Sequence, residues 1–227
     1  MPPQSPHQDL GLAKPRIRKS PPSSAVSVWR IDPPDSLIRG GSVGFSCGEC
    51  GTLSVMERGF VQVYTGNGKG KTTAAFGLAL RAAGHGLQTY IGQFMKGQMY
   101  GEVQALRDNP LVEIEQYGDA VCVRREEVTA EHAARARRGM ERAREKMCSG
   151  DFDMVILDEV NVTIWFGMLA VDEVLELLEQ RPPGVEVILT GRYAPAEILA
   201  KADLVTEMRE VKHYFAQGVL ARDGIER

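Results

Sequence analysis

Cysteine is scarce in this chain: four in 227 residues, too few for a disulfide scaffold. Cys47 and Cys50 form one CxxC, while Cys122 and Cys148 stand alone. A zinc site wants a second pair of ligands, and none lies near the first. The CxxC therefore reads as incidental, with a redox or metal role as the alternative. A surplus of positive charge is also missing. Against 27 basic side chains stand 30 acidic ones, a formal net charge of −3. That balance argues against a polybasic nucleic-acid binder, and no nucleic-acid partner is expected. Long apolar runs are absent as well. The longest apolar-plus-glycine stretch is Ile164–Val171, eight residues, where a membrane-spanning helix needs roughly 18. No apolar core follows the basic residues near the N-terminus, so no secretory signal is read. A reducing, cytoplasmic setting without membrane contact is the expectation.

What is present divides unevenly. Eight of the twelve prolines fall within residues 1–34, among frequent serines and without apolar periodicity. Such a segment buries too little surface to offset its ordering entropy. Residues 1–56 are therefore expected to form a disordered extension, with Lys14, Arg16, Arg18 and Lys19 as a small basic cluster. Residues 57–227 carry the pattern of a single domain.

That pattern alternates strand and helix. Strands are expected at Phe60–Thr65, Gln88–Phe94, Val112–Gln116, Met154–Leu157, Val185–Leu189 and Leu204–Thr206. Helices are expected from about Lys71 to Ala83, over Thr129–Cys148, over Val171–Glu179 and over Pro195–Lys201. Gly84 and Gly86 would end the first helix. In the long helix Ala133, Ala136, Met140, Ala143 and Met147 repeat at alternating steps of 3 and 4, one apolar stripe. Its arginines (135, 137, 138, 142 and 144) read as a solvated face. Short apolar strands alternating with helices imply an α/β fold, a mostly parallel sheet with helices on both faces. Ligands in such folds sit beyond the carboxyl ends of the strands.

One loop carries chemistry. Thr65-Gly66-Asn67-Gly68-Lys69-Gly70-Lys71-Thr72-Thr73 joins the first strand to the first helix. Glycines let backbone N–H groups approach an anion closely, and the helix N-terminus adds partial positive charge. Lys71 can reach phosphate oxygens and Thr72 can ligate Mg²⁺. The usual GxxxxGK[ST] spacing would need glycine where Thr65 stands. Gly66 begins the turn instead, so the loop is effectively one residue shorter and should cradle polyphosphate differently. Asp158-Glu159 after Val155-Ile156-Leu157 fits the second nucleotide motif, carboxylates that hold Mg²⁺ at the end of a buried strand. The alternative is a pair that caps a helix from Val160 onward.

The segments VYTGNGKGKTTAAFGLALRAAGHG (63–86), QFMKG (93–97), VILDEVN (155–161), LTGR (189–192) and VKHYFAQGVLARDGIE (211–226) occur in this order. Together they resemble the corrinoid adenosyltransferase family of the cob(I)yrinic acid a,c-diamide or cob(I)alamin type, over roughly residues 56–227. The resemblance implies a P-loop NTPase-like fold, a homodimer and transfer of the 5′-deoxyadenosyl group of ATP to the Co(I) of a reduced corrinoid. Triphosphate would leave, and a reduced flavoprotein would supply the electron. Gly66, Asn67, Gly68, Lys69, Gly70, Lys71, Thr72 and Thr73 would bind ATP. Thr72, Glu159 and Asp158 would hold Mg²⁺, and Lys71, Thr72 and Glu159 would carry catalysis. Arg81 matches a family arginine near the nucleotide, though it reads equally as a solvated helix residue. Arg192 would bind phosphate or the edge of the corrinoid, or be an ordinary loop arginine. Gln93 and Lys96 are pocket candidates, and Lys212 and His213 match the family tail. The stretch Tyr117–Val123 corresponds to the segment below the corrin ring and lacks the Phe and Trp of some members. Two other functions stay open on sequence: a P-loop ATPase or kinase releasing ADP, and a non-catalytic carrier of nucleotide or corrinoid.

Overall fold

The computed structural model describes residues 56–121 and 123–227. The extension expected over residues 1–56, except Met56 itself, lies outside the described residues, as do the Cys47–Cys50 pair and Cys122.

Six strands form one sheet: β1 (Val61–Thr65), β2 (Thr89–Gln93), β3 (Val112–Gln116), β4 (Met154–Asp158), β5 (Glu186–Thr190) and β6 (Leu204–Glu207). Their spatial order is β3-β2-β4-β5-β1-β6, and every neighbouring pair is parallel. The helices are α1 (Lys71–Ala83), α2 (Gly101–Leu106), α3 (Ala130–Cys148), α4 (Val160–Trp165), α5 (Val171–Glu179) and α6 (Ala196–Lys201). The short helix α2 has no periodic signature long enough to announce it, while α4 is the helix from Val160 onward that the sequence offered as an alternative, with Glu159 at its N-cap position but no capping bond from its side chain.

The two-residue period of the strands sorts the core into two layers. Met154, Ile156, Ile91 and Ile188 meet Ala75, Phe76, Ala79 and Ala82 of α1, with Val103 and Leu106 of α2. Val155, Leu157, Val187 and Leu189 point the other way, onto Ala136, Met140, Ala143 and Met147 of α3, with α5 and α6 beside it. The expected stripe of α3 is thus its buried face. Its arginines are less free than expected. Arg135 pairs with Asp119 at 2.6 Å, Arg137 with Glu173 at 3.2 Å and Arg142 with Glu115 at 3.1 Å. Carboxylates from a loop, from β3 and from α5 come to rest over that face.

The end of α1 differs in detail. Gly84 keeps right-handed helical angles, and it is Gly86, at φ 79°, that turns the chain away. The outermost strand, β6, is exposed at every residue. It hydrogen-bonds to β1 and, among the described residues, pairs with no other strand.

Candidate active site

The loop between β1 and α1 lies at the carboxyl end of the sheet. Gly66 sits at φ 92° and Gly70, the residue before α1, at φ 117°, backbone that other residues enter only with strain. The chain returning after β6 crosses this loop closely: Gly68 N donates to Met208 O at 2.6 Å, and Met208 N to Thr65 O at 2.8 Å. A Cβ on Gly66 would stand 2.4 Å from the Met208 oxygen. The loop is therefore pinned from outside as well as shaped from within.

Lys71 opens α1 and is only 7% exposed. Its Nζ donates to the carbonyls of Gly66 and Gly68, both at 2.8 Å. Burial lowers its pKa, partly offset by the charge of Glu159. A buried cation met by neutral carbonyls retains most of its attraction for an incoming anion.

Around Asp158, at the end of β4, a network closes. The carboxylate is fully buried. Its Oδ1 accepts from Thr72 Oγ1 at 2.9 Å and from Thr190 Oγ1 at 2.7 Å. Its Oδ2 accepts from Gln93 Nε2 at 2.9 Å and from Lys96 Nζ at 3.0 Å. Lys96 Nζ also donates to Thr72 Oγ1 at 2.9 Å. Burial works against the charge of Lys96, but Asp158, Glu159 and Glu102 together outweigh it and its pKa is raised. Glu159 follows with φ 63°, and its amide donates to Thr190 Oγ1 at 2.9 Å. Burial, and then the neighbouring charge of Asp158, push the pKa of Glu159 up.

Beside this network is a cavity of about 910 Å³, lined by the loop from Asn67 to Thr73, by Lys96, Glu159 and Arg192, by Tyr100, Gly101 and Glu102 at the start of α2, and by His213 and Gly224–Arg227 of the C-terminal segment. Lys69 ties loop to tail through Ile225 O at 2.8 Å. Among the residues singled out from sequence, Gly66, Gln93 and Asp158 lie outside this lining, and Gln93, expected in the pocket, is instead fully buried with its amide spent on Asp158. Arg81 lies exposed in the last turn of α1, outside the lining, and Lys212 is likewise exposed and outside it. His213 accepts from Phe215 N at 3.0 Å and faces the cavity.

Sequence reasoning gave Thr190 no role beyond its place in LTGR, and passed over Tyr100 and Glu102. The usable signal for Thr190 was a strand end. In a parallel sheet the last residues of neighbouring strands sit side by side, and Gln93, Asp158 and Thr190 close β2, β4 and β5. Tyr117–Asp119 packs against the turn after β2, where Gly118 N donates to Lys96 O at 3.2 Å. Asp119 is held by His132 at 2.7 Å as well as by Arg135. Val121 is 70% exposed.

A divalent metal would find oxygen donors here, in Thr72, Asp158 and Glu159, a set that suits Mg²⁺. A cation already sits among two of them, the ammonium of Lys96, so the pocket accepts positive charge. No cluster of three or more His, Cys, Asp or Glu suited to a metal occurs among the described residues. Such a metal would have to arrive with phosphate oxygens of its own, as Mg²⁺ commonly does.

The chain is similar to known proteins along most of its length. A family model described as ATP:corrinoid adenosyltransferase BtuR/CobO/CobP matches residues 57–227. The corrinoid adenosyltransferase of Escherichia coli (strain K12) is 39% identical over 170 residues, which cover 75% of this chain and 86% of that protein. Corrinoid adenosyltransferase CobA of Salmonella typhimurium is 39% identical over 170 residues, with the same coverage. The corrinoid adenosyltransferase of Pseudomonas aeruginosa is 37% identical over 172 residues, 75% of this chain and 84% of that protein. A match that runs from the residue before Arg58 to the last arginine, with relatives this alike along it, makes the chain a member of the ATP:corrinoid adenosyltransferase BtuR/CobO/CobP family.

Proposed function

We propose that this protein transfers the 5′-deoxyadenosyl group of ATP to the Co(I) of a reduced corrinoid, cob(I)alamin or cob(I)yrinic acid a,c-diamide, and releases triphosphate. The observation that carries the reading is Lys71: a buried ammonium whose hydrogen bonds go to two loop carbonyls, at the mouth of α1. It can exchange those carbonyls for phosphate oxygens without breaking an ion pair.

The reacting atoms set the protein's tasks. Co(I) donates an electron pair to C5′ of ATP, the Co–C bond forms and the C5′–O bond breaks. The pair of the C5′–O bond leaves on the triphosphate oxygen, and cobalt, having given its own pair to the new bond, is formally Co(III). The chain must hold C5′ in line with cobalt and take up the charge that appears on the departing oxygen. Lys71, Lys69 and Arg192 border the cavity where that charge would grow. The amides of the loop and the N-terminal end of α1 add fixed partial charges. Thr73 would donate to a phosphate and Asn67 would meet the nucleotide. Thr72 and Glu159, with Asp158 beside them, would hold Mg²⁺, which when bound neutralises charge on the leaving triphosphate. The shortened loop agrees with stabilising a whole triphosphate rather than a γ-phosphoryl group in flight.

The same reading includes a homodimer, a reduced flavoprotein as the source of Co(I) and a cytoplasmic setting. No helix among the described residues is long and apolar enough to cross a membrane. The deciding experiment is an anaerobic assay with chemically reduced corrinoid and Mg·ATP. Loss of the Co(I) absorbance should match triphosphate formation mole for mole. ADP and phosphate as products would replace this reading with an ATPase or kinase, and binding without turnover would replace it with a carrier.

A further inference from the structure

Lys96 places its ammonium among oxygens that would hold a divalent cation. Its Nζ bridges Thr72 Oγ1 at 2.9 Å and Asp158 Oδ2 at 3.0 Å. Asp158 is fully buried, and the Lys96 side chain is 18% exposed, so the contact is little screened by water. The remaining donors to the Asp158 carboxylate are neutral: Thr72, Thr190 and Gln93. Lys96 is thus the group that balances its charge within hydrogen-bonding distance. Two positive groups cannot share these oxygens at ordinary contact distances in so enclosed a place.

A second resting place for the ammonium lies nearby. Glu102, in the first turn of α2, has Oε1 3.9 Å from the same Nζ, and the Tyr100 ring centroid is 5.6 Å away. Lysine's flexible stem allows that move without a change of backbone. Glu102, Tyr100 and Lys96 all line the cavity.

We propose that Lys96 is a tethered counter-ion of the Thr72–Asp158 oxygens: it keeps free divalent metal out of the site and swings to Glu102 when metal arrives with a polyphosphate. The inference rests on the reading of Thr72 and Asp158 as metal-holding residues. Its consequence is an order of events. Free metal competes poorly with a cation already attached to the chain, whereas a metal bound to ATP brings negative charge that Lys96 can also follow. Glu102 takes the ammonium on release, so the start of α2 responds to loading of the site.

The test uses the full chain without nucleotide and Mn²⁺ as a paramagnetic substitute for Mg²⁺, with free ion counted by EPR. Lys96→Met should bind Mn²⁺ about tenfold more tightly than wild type, because a competing charge is gone. Glu102→Gln should bind it several-fold more weakly, because the displaced ammonium has lost its acceptor. Equal Mn²⁺ affinity in wild type and Lys96→Met overturns the proposal. In that double set Asp158→Asn identifies the site: if Lys96→Met binds Mn²⁺ equally well with and without Asp158→Asn, the metal lies elsewhere and the reading of Thr72 and Asp158 fails instead. A measurement on wild type guards against a misfolded variant. The lysine Nζ resonance of Lys96 should shift when Mg·ATP is added, and an unmoved resonance also overturns the proposal.

Discussion

Lys71 and Asp158 show how burial serves opposite ends. Lys71 is buried against carbonyls, so its charge is left available. Asp158 is buried under four donors, one of them charged, so its own charge is answered. Lys71→Ala should leave the fold standing and cut adenosylation by about 100- to 1,000-fold, the usual loss when one preorganised donor to a developing anion is removed. Co(I) consumption at saturating ATP, beside a thermal melt, measures both; turnover near that of wild type would count against the assignment. Asp158→Asn should instead lower stability. It leaves the Lys96 ammonium partly buried beside an amide, and breaking one partner of an enclosed ion pair costs about 3 kcal/mol. Urea denaturation of the metal-free protein checks it, with an unchanged midpoint as the contrary outcome.

The glycine-rich loop works as an element because two different segments define it. Its own glycines permit the left-handed angles at Gly66 and Gly70, and the segment after β6 fixes its height through Met208. Gly66→Ala should therefore fail twice: a positive φ costs about 1–3 kcal/mol, and the new Cβ would press on the Met208 carbonyl, 2.4 Å away. ATP affinity should fall by at least about tenfold, since about 1.4 kcal/mol of distortion suffices for that. Equilibrium binding of ATP measures it, and an alanine variant that binds as wild type does would show that the pinning is unimportant. The loop's shape was legible in the residues. Its contact with Met208 was not, because 142 positions separate Gly66 from Met208.

For the molecule as a whole, the described residues form one sheet with a hydrophobic layer on each face. Among the described residues the two clusters, with the partly buried side chains packed against them, run from Val61 to Ala202 and from Tyr64 to Ile188. A chain of residues 56–227 should express in folded form, melt cooperatively and adenosylate at a rate within about twofold of the full chain. Circular dichroism and the Co(I) assay test that. An insoluble or inactive product would assign the preceding residues a structural role.

The order of elements was written in the sequence because local periodicity and glycine placement are local physics. The alternation of strand and helix, the strand–loop–helix around Lys71 and the carboxylates at the end of β4 all follow from neighbours along the chain. The short helix α2 escaped because six residues do not make a period, whereas α4 and α6, equally short, were marked only by the residues at their starts, Asp158-Glu159 and Pro195. Strand order was decided only by the tertiary structure. With β4 between β2 and β5, the ends of those strands put Gln93 and Thr190 on either side of Asp158, and the turn after β2 carries Lys96 across to Thr72. No spacing along the chain encodes that meeting. It comes from packing two apolar faces of one sheet under two layers of helices, the arrangement that buries most surface and leaves the polar strand ends together at one edge.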